Sequence, residues 1–394
     1  MGNIKDKVAI VGMGCTPFGE LWDKGYADLI IDAAYEAFED AGVGPDDIEA
    51  AFVSNLSSGL ETGAFLAESL QFDCKPVTRI ENNCASAADC LRVGAFSVAS
   101  GMYDTVLCLG VEKSKDYGSG ALEVPGCYHP ITVVPGAPAS FAKAAVKYFL
   151  DYGLTREEGK RTMAKIAVKN HYNGSLHPKA HFRKQILLEA ALMAPIIAWP
   201  LGLFDCCPVT DGAAAAVITR ADKAKNFKDD YILIKGMGLA VGRIDPFKGK
   251  FRADADITFF NETAQAAKQA FEQVGVKDPR KELSIVECHD CFTITEMIIY
   301  ESMGLSPRGK SKADVDAGTF TLKGDLPVNP DGGLKSFGHP IGASGLRMIT
   351  ECYNQIRGNA GPRQKKDVNL CLAHCQGGVP GMMQASCTIV GPRN

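Results

Sequence analysis

Two imidazoles and three thiols stand in surroundings that favour chemistry over packing. Cys84 follows "IENN" and opens a run of helical pattern, "CASAADCLRVGAFSVASG". A cysteine in the first turn of a helix meets free backbone N–H groups and the positive end of the helix dipole. These stabilise a thiolate, lower its pKa and make it a nucleophile near neutral pH. His339 lies in "NPDGGLKSFGHPIGASG". The glycines there permit tight turns and close approach of backbone to a ligand. A His-Pro pair at a helix start leaves the imidazole on the rim of the element. "ECHDCF" (287–292) offers His289, Asp290 and Cys291 directly after a strand-like run, a usual place for site residues in α/β sheets. "LAHCQGGVPG" (372–381) is a Gly-rich turn with Cys375, where a second thiol can carry protons and the N–H of Gly377 can hold an oxyanion.

Each signal has a plainer reading. Most of the 14 cysteines in a reduced protein are small buried hydrophobes. Cys288 and Cys291 form a C-x-x-C, which reads as half a zinc site or a redox pair. Zinc needs a second ligand pair, and Cys206-Cys207, with no spacer, serves poorly.

An internal repeat gives the nucleophile and the base a reason to meet. "AAYEAFEDAGV" (33–43) matches "AAKQAFEQVGV" (266–276), each a helix pattern ending at a capping glycine, and each leads to an apolar strand run, "IEAAFVSN" or "LSIVECHD". Aligning Leu91-Arg92 with Leu346-Arg347 sets Cys84 opposite His339, and "VLCLG" (106–110) then faces "NLCLA" (369–373). Strand–helix–strand–helix–strand thus occurs twice, which implies an α/β core with its sheets covered on both faces. The expected division is an N-terminal half from 1–112 plus 201–245, an inserted loop domain over 113–200 and a C-terminal half over 246–394.

Across 394 residues, 46% are hydrophobic and 22% charged, with net charge -4. This is ordinary globular composition and gives no electrostatic reason to expect nucleic acid. No secretory start and no apolar run of about 18–20 residues is present, so a cytoplasmic chain with no membrane role is expected.

Together, Cys84 in "NCASA", "HDCF" at 289–292, the glycine-rich segment around His339 and "CQGG" at 375–378 resemble the thiolase superfamily over almost the whole chain. "HDCF", "AHFRK" and "AWPLGLFDCCPVTDGAAAA" are similar to the sterol-carrier-protein type branch and its bacterial and archaeal relatives. The resemblance implies the thiolase-like fold, a duplicated βαβαβ core in α-β-α-β-α layers. It also implies CoA-dependent cleavage of a β-ketoacyl-CoA through an acyl group on Cys84. His339 would activate Cys84, and His289 would complete an oxyanion hole for the thioester oxygen. Cys291 and Cys375 compete for the second acid/base role. The N–H groups of Cys84 and Gly377 would form a second oxyanion hole.

The resemblance further implies coenzyme A as co-substrate, with no permanently bound cofactor and no metal expected. Lys160, Arg161, Lys165, Lys169, Lys179, Arg183 and Lys184 make the insertion basic, either for CoA phosphates or as a solvated face. A homodimer or higher homo-oligomer is expected. Relatives that work with a small zinc-ribbon/OB-fold subunit include thiolases of aromatic-acid pathways such as benzoylsuccinyl-CoA thiolase, and the cysteine-rich loops fit that group. The rival readings are a decarboxylating ketoacyl synthase and a metal or redox module on Cys288-x-x-Cys291.

Overall fold

Apolar runs such as "VAIVG", "AAFVS" and "VLCLG" build strands that are buried along their whole length, as a sheet with helices on both faces requires. The computed structural model describes residues 3–56, 62–117, 136–243 and 255–393. In chain order the main strands are β1 (Val8–Cys15), β2 (Ala50–Ser54), β3 (Val77–Ile80), β4 (Thr105–Lys113), β5 (Asp211–Arg220), β6 (Ile232–Val241), β7 (Ile285–Glu287), β8 (Cys371–Val379) and β9 (Met382–Pro392). They are ordered β3-β2-β4-β5-β1-β6-β9-β8-β7 across one sheet.

The duplication is written in that order. β2 and β4 are parallel, as are β7 and β8. β5 runs antiparallel between β4 and β1, and β9 antiparallel between β8 and β6. β1 pairs with β6 at Ala9↔Leu233 and Ile10↔Ile232, and β6, expected with the N-terminal half, continues the sheet into β9, β8 and β7. The second half has, in place of β3, a single parallel bridge between Val286 and Val328. The matched helices are α1 (Tyr26–Ala41) and α3 (Asn261–Val274). Each ends at its matched glycine, Gly42 (φ 70°) or Gly275 (φ 92°), in the left-handed conformation that glycine adopts without a Cβ penalty.

The other repeated pair, α2 (Ser86–Ala99) and α4 (Ser344–Ile356), is buried and in mutual contact. A Cβ on Gly345 would lie 2.6 Å from the backbone nitrogen of Ala88, so the missing side chain lets the two helices touch near their N-termini. That contact brings the loops ahead of α2 and α4 to one place.

Within the insertion expected over 113–200, residues 118–135 lie outside the described residues. The rest includes helices Ala137–Asp151 and Arg156–Ser175. Its lysines are largely used to fasten it: Lys160 pairs with Asp205, Lys165 with Asp316, Lys169 with Glu296 and Lys179 with Glu36. Lys169 is buried with its partner, so the basic stretch is not simply a solvated face. No helix among the described residues is long and apolar enough to cross a membrane.

Candidate active site

Cys84 sits in the turn between β3 and α2, two residues before the first helical residue and one before the N-cap Ala85. Asn83 takes a left-handed φ of 49° to make this turn. The Ser86 hydroxyl braces it by accepting from the Asn82 N–H at 2.8 Å and donating to the Asn83 carbonyl. The expected lowering of the thiol pKa is not found. Cys84 is half-buried, but its sulfur is closely packed, and burial pushes the thiol well above its ordinary value. Cys375 and Glu112 add to the rise, and a backbone hydrogen bond offsets only part of it. The dipole argument fails because the residue precedes the cap and, among the described residues, no cation contributes to holding the thiol down. Alkylation of Cys84 by iodoacetamide, read by mass spectrometry, is therefore expected to keep accelerating from about pH 7 to about pH 10, with no plateau near neutrality.

His339 lies within the glycine-rich segment, where it bridges to Val209. Its Nδ1 lies 2.8 Å from the Ser344 Oγ, and that hydroxyl donates to the Pro340 carbonyl at 2.9 Å. With its one hydrogen so placed, Ser344 accepts from His339 Nδ1–H. The hydrogen-bond network thus assigns the tautomer that leaves Nε2 as a bare lone pair. Nε2 is buried and has no partner among the described residues. Burial, then the charge of Arg347, holds this imidazole down to about 3, so it is neutral at physiological pH.

His289 follows β7 and meets His339 edge to face, with ring centroids 5.1 Å apart. Burial, then His339, holds it well below its ordinary value too. Ligand atoms of Cys84, His289 and His339 all lie within 4.8 Å of one another. The pseudo-twofold has delivered the expected meeting.

Cys375 and Gly377 lie on β8 beside them. The Cys375 Sγ is 2.8 Å from the Cys84 carbonyl oxygen and 3.6 Å from His289 Nδ1. A Cβ on Gly377 would lie 2.7 Å from the Cys84 nitrogen, so only glycine lets the β8 backbone pass this close to the Cys84 turn. Cys291 is also buried, but its sulfur faces the Thr295 hydroxyl at 3.7 Å.

The C-x-x-C reading is not favoured by the partners of its two sulfurs. The Cys288 sulfur faces the Asn329 side chain at 3.7 Å, the Cys291 sulfur faces Thr295, and both are free thiols. Among the described residues, the one cluster of three or more donors close enough to share an ion is Cys84, His289 and His339.

Of the residues that fix the loops, sequence reasoning named Asp290 as a site candidate and missed Glu112, Asn329 and Ser344. Glu112, at the end of β4, accepts the Gly342 N–H at 2.9 Å and the Leu56 N–H at 3.1 Å, fastening the loop after His339 to the opposite half. Asp290 accepts the N–H groups of Leu334 and Lys335 at 2.6 and 3.1 Å; burial, then Glu296, pushes its carboxyl up to about 7. Asn329, at a left-handed φ of 53°, accepts the Cys288 N–H at 2.8 Å. A buried acid at a strand end was the available signal for Glu112. Ser344 carried none.

This arrangement brings one thiol, two neutral imidazoles and a second thiol together, with Gly377 against the Cys84 backbone. Comparison with known proteins agrees. The family model "Thiolase, N-terminal domain" matches residues 8–189, and "Thiolase C-terminal domain-like" matches 248–391. An acetyl-CoA acetyltransferase of Methanothermobacter thermautotrophicus is 35% identical over 95% of this chain and 97% of its own. The benzoylsuccinyl-CoA thiolase subunit BbsB of Thauera aromatica is 30% identical over 95% and 96%. In three dimensions the chain is similar to an Ltp2-ChsH2(DUF35) aldolase, with TM-score 0.84 and 24% identity over 99% of both chains. It is similar also to human mitochondrial 3-ketoacyl-CoA thiolase, with TM-score 0.72 and 17% identity over 100% of both. The chain belongs to the thiolase family of acyltransferases.

Proposed function

We propose that this thiolase cleaves a β-ketoacyl-CoA with coenzyme A through an acyl group carried on Cys84. The observation that supports this reading is the approach of Cys84, His289 and His339 to within 4.8 Å, with Cys375 against the Cys84 carbonyl. His339 Nε2 takes the Cys84 proton as the sulfur attacks the β-carbonyl. The proton moves in concert with attack, because both partners rest neutral. The tetrahedral oxyanion is held by the N–H groups of Cys84 and Gly377. The Cα–Cβ bond then breaks, and its electron pair enters the enolate of the departing thioester, whose oxygen faces the two imidazoles. Cys375 protonates the α-carbon. As a thiolate it then takes the proton of the incoming CoA thiol, which attacks the acyl-cysteine, and the departing Cys84 sulfur recovers its proton from His339 Nε2.

Cys375 is assigned the second acid/base role because its sulfur touches both the Cys84 carbonyl and His289, whereas Cys291 faces Thr295. Cys375→Ala is accordingly expected to lower turnover on the order of a hundredfold or more, and Cys291→Ala by much less. Steady-state thiolysis rates check this, and the reverse order would move the role to Cys291.

The substrate reading is an aromatic or branched β-ketoacyl-CoA of the benzoylsuccinyl-CoA type, supported by the Thauera aromatica relative. That relative is itself a subunit. A small second chain, alongside a homodimer formed through the sheet edge at β3, therefore belongs to the proposal. Incubation with a panel of acyl-CoAs, followed by peptide mass spectrometry, tests the core of it. One acyl adduct on Cys84 that is discharged by CoA is expected. An adduct elsewhere, or a requirement for a malonyl donor, overturns it.

A further inference from the structure

We propose that Cys84, His289 and His339 form a latent site for a soft divalent cation, zinc above all, and that its binding holds the enzyme in a reversibly inactive state. The inactive state rests on the catalytic reading given above; the binding itself does not.

Three observations carry the site. The first is distance. The three donor atoms lie within 4.8 Å of one another, and a tetrahedral zinc with bonds of about 2.0–2.3 Å needs its ligands roughly 3.5 Å apart, a side-chain adjustment of about 1 Å. The second is donor chemistry. Two imidazoles and a thiolate, with no carboxylate among them, suit zinc and disfavour magnesium and calcium, which prefer oxygen. A three-ligand set also leaves the fourth position for water, as in open zinc sites. The third is orientation. Metal-binding imidazoles are usually fixed through their second nitrogen. His339 Nδ1 is held by Ser344 and His289 Nδ1 faces Cys375, so in both rings Nε2 is the nitrogen left over. For His339 that nitrogen is buried and unpartnered among the described residues.

Binding is a simple exchange. The Cys84 S–H bond breaks, an S–Zn bond forms, and the proton leaves to solvent without any change of oxidation state. The sulfur that attacks the acyl group and the lone pair that takes its proton are then both occupied. Neither member of the C-x-x-C takes part.

Titration of the reduced protein with cobalt(II) tests the inference. One equivalent is expected, with a sulfur-to-cobalt charge-transfer band in the near ultraviolet and visible bands of tetrahedral intensity, all abolished by one equivalent of zinc. Cys84→Ala should lose the charge-transfer band. His289→Ala and His339→Ala should each weaken binding more than tenfold, while Cys288→Ala and Cys291→Ala should bind like the parent. Because a variant can fail by misfolding, a variant-free readout accompanies these: one equivalent of zinc should suppress iodoacetamide labelling of Cys84 in the parent, and EDTA should restore it. A charge-transfer band that survives in Cys84→Ala, one that disappears in Cys291→Ala, or labelling of Cys84 undiminished by zinc overturns the site. Cobalt binding without acylation of Cys84 would refute the catalytic reading and leave the site standing; acylation without cobalt binding would do the reverse.

Discussion

Cys84→Ser is expected to lower CoA-dependent thiolysis by on the order of 10³-fold or more while leaving the fold intact. The serine hydroxyl is harder and far less acidic than the thiol, and His339 holds too weak a base to deprotonate it. The substitution is nearly isosteric, and Cys84 is only half-buried, so packing should survive. Residual activity would come from the amide pair of Cys84 and Gly377 and from binding alone. His339→Ala should cost on the order of a hundredfold or more, because it removes both the proton acceptor and a donor to the enolate oxygen. The double variant should be little worse than Cys84→Ser, since groups that act in one step are not additive. Rates with a β-ketoacyl-CoA and CoA, beside circular dichroism and thermal midpoints, check all three. Near-normal thiolysis by Cys84→Ser would remove Cys84 from the chemistry.

The pairing of these residues was legible in the sequence because gene duplication leaves collinear marks. "AFEDAGV" and "AFEQVGV" set the register, and once Leu91-Arg92 is laid on Leu346-Arg347, Cys84 and His339 fall opposite each other. Helical and strand periods then followed from apolar spacing, and the capping glycines 42 and 275 behaved as their positions predicted. The thiol's electrostatics were not legible. The dipole argument needs Cys84 inside the first turn, and a shift of two residues with close packing around the sulfur reverses its sign. The choice between Cys291 and Cys375 was equally closed to sequence, because it depends on which way two side chains turn. The ion pairs of the basic insertion were closed to sequence for a related reason: a lysine's partner, such as Asp205 for Lys160, lies far along the chain.

Arg347 was used in the sequence only as a mark of register, and it carries the second large prediction. It is 1% exposed and contacts Glu287 at 2.6 Å and Asp331 through the same Nη1. Burial works against its charge, but Asp331 and Glu287 outweigh burial and keep it a cation. The three residues tie α4 to the end of β7, two residues before His289, and to the turn where Asp331 accepts the Gly333 N–H at 2.9 Å. Burial alone already pushes the Glu287 carboxyl up, and Asp331 pushes it further, whereas Arg347 draws Asp331 down against its burial. Arg347→Leu would strand both carboxylates without a counter-charge, which should cost about 3–5 kcal/mol. The sign of the pH dependence identifies the cause. With the cation gone, both folded-state pKa values stand above their unfolded values, so the folded form binds more protons and stability falls as pH rises through them. The deficit relative to the parent should therefore shrink as pH is lowered from about 7 toward about 5. Replacing all three residues together (Arg347→Met, Glu287→Gln, Asp331→Asn) should recover most of the loss, since no buried charge then lacks a partner. Thermal midpoints across that pH range decide it: a deficit that is flat with pH would mean that Arg347 matters for its packing and not for its charge.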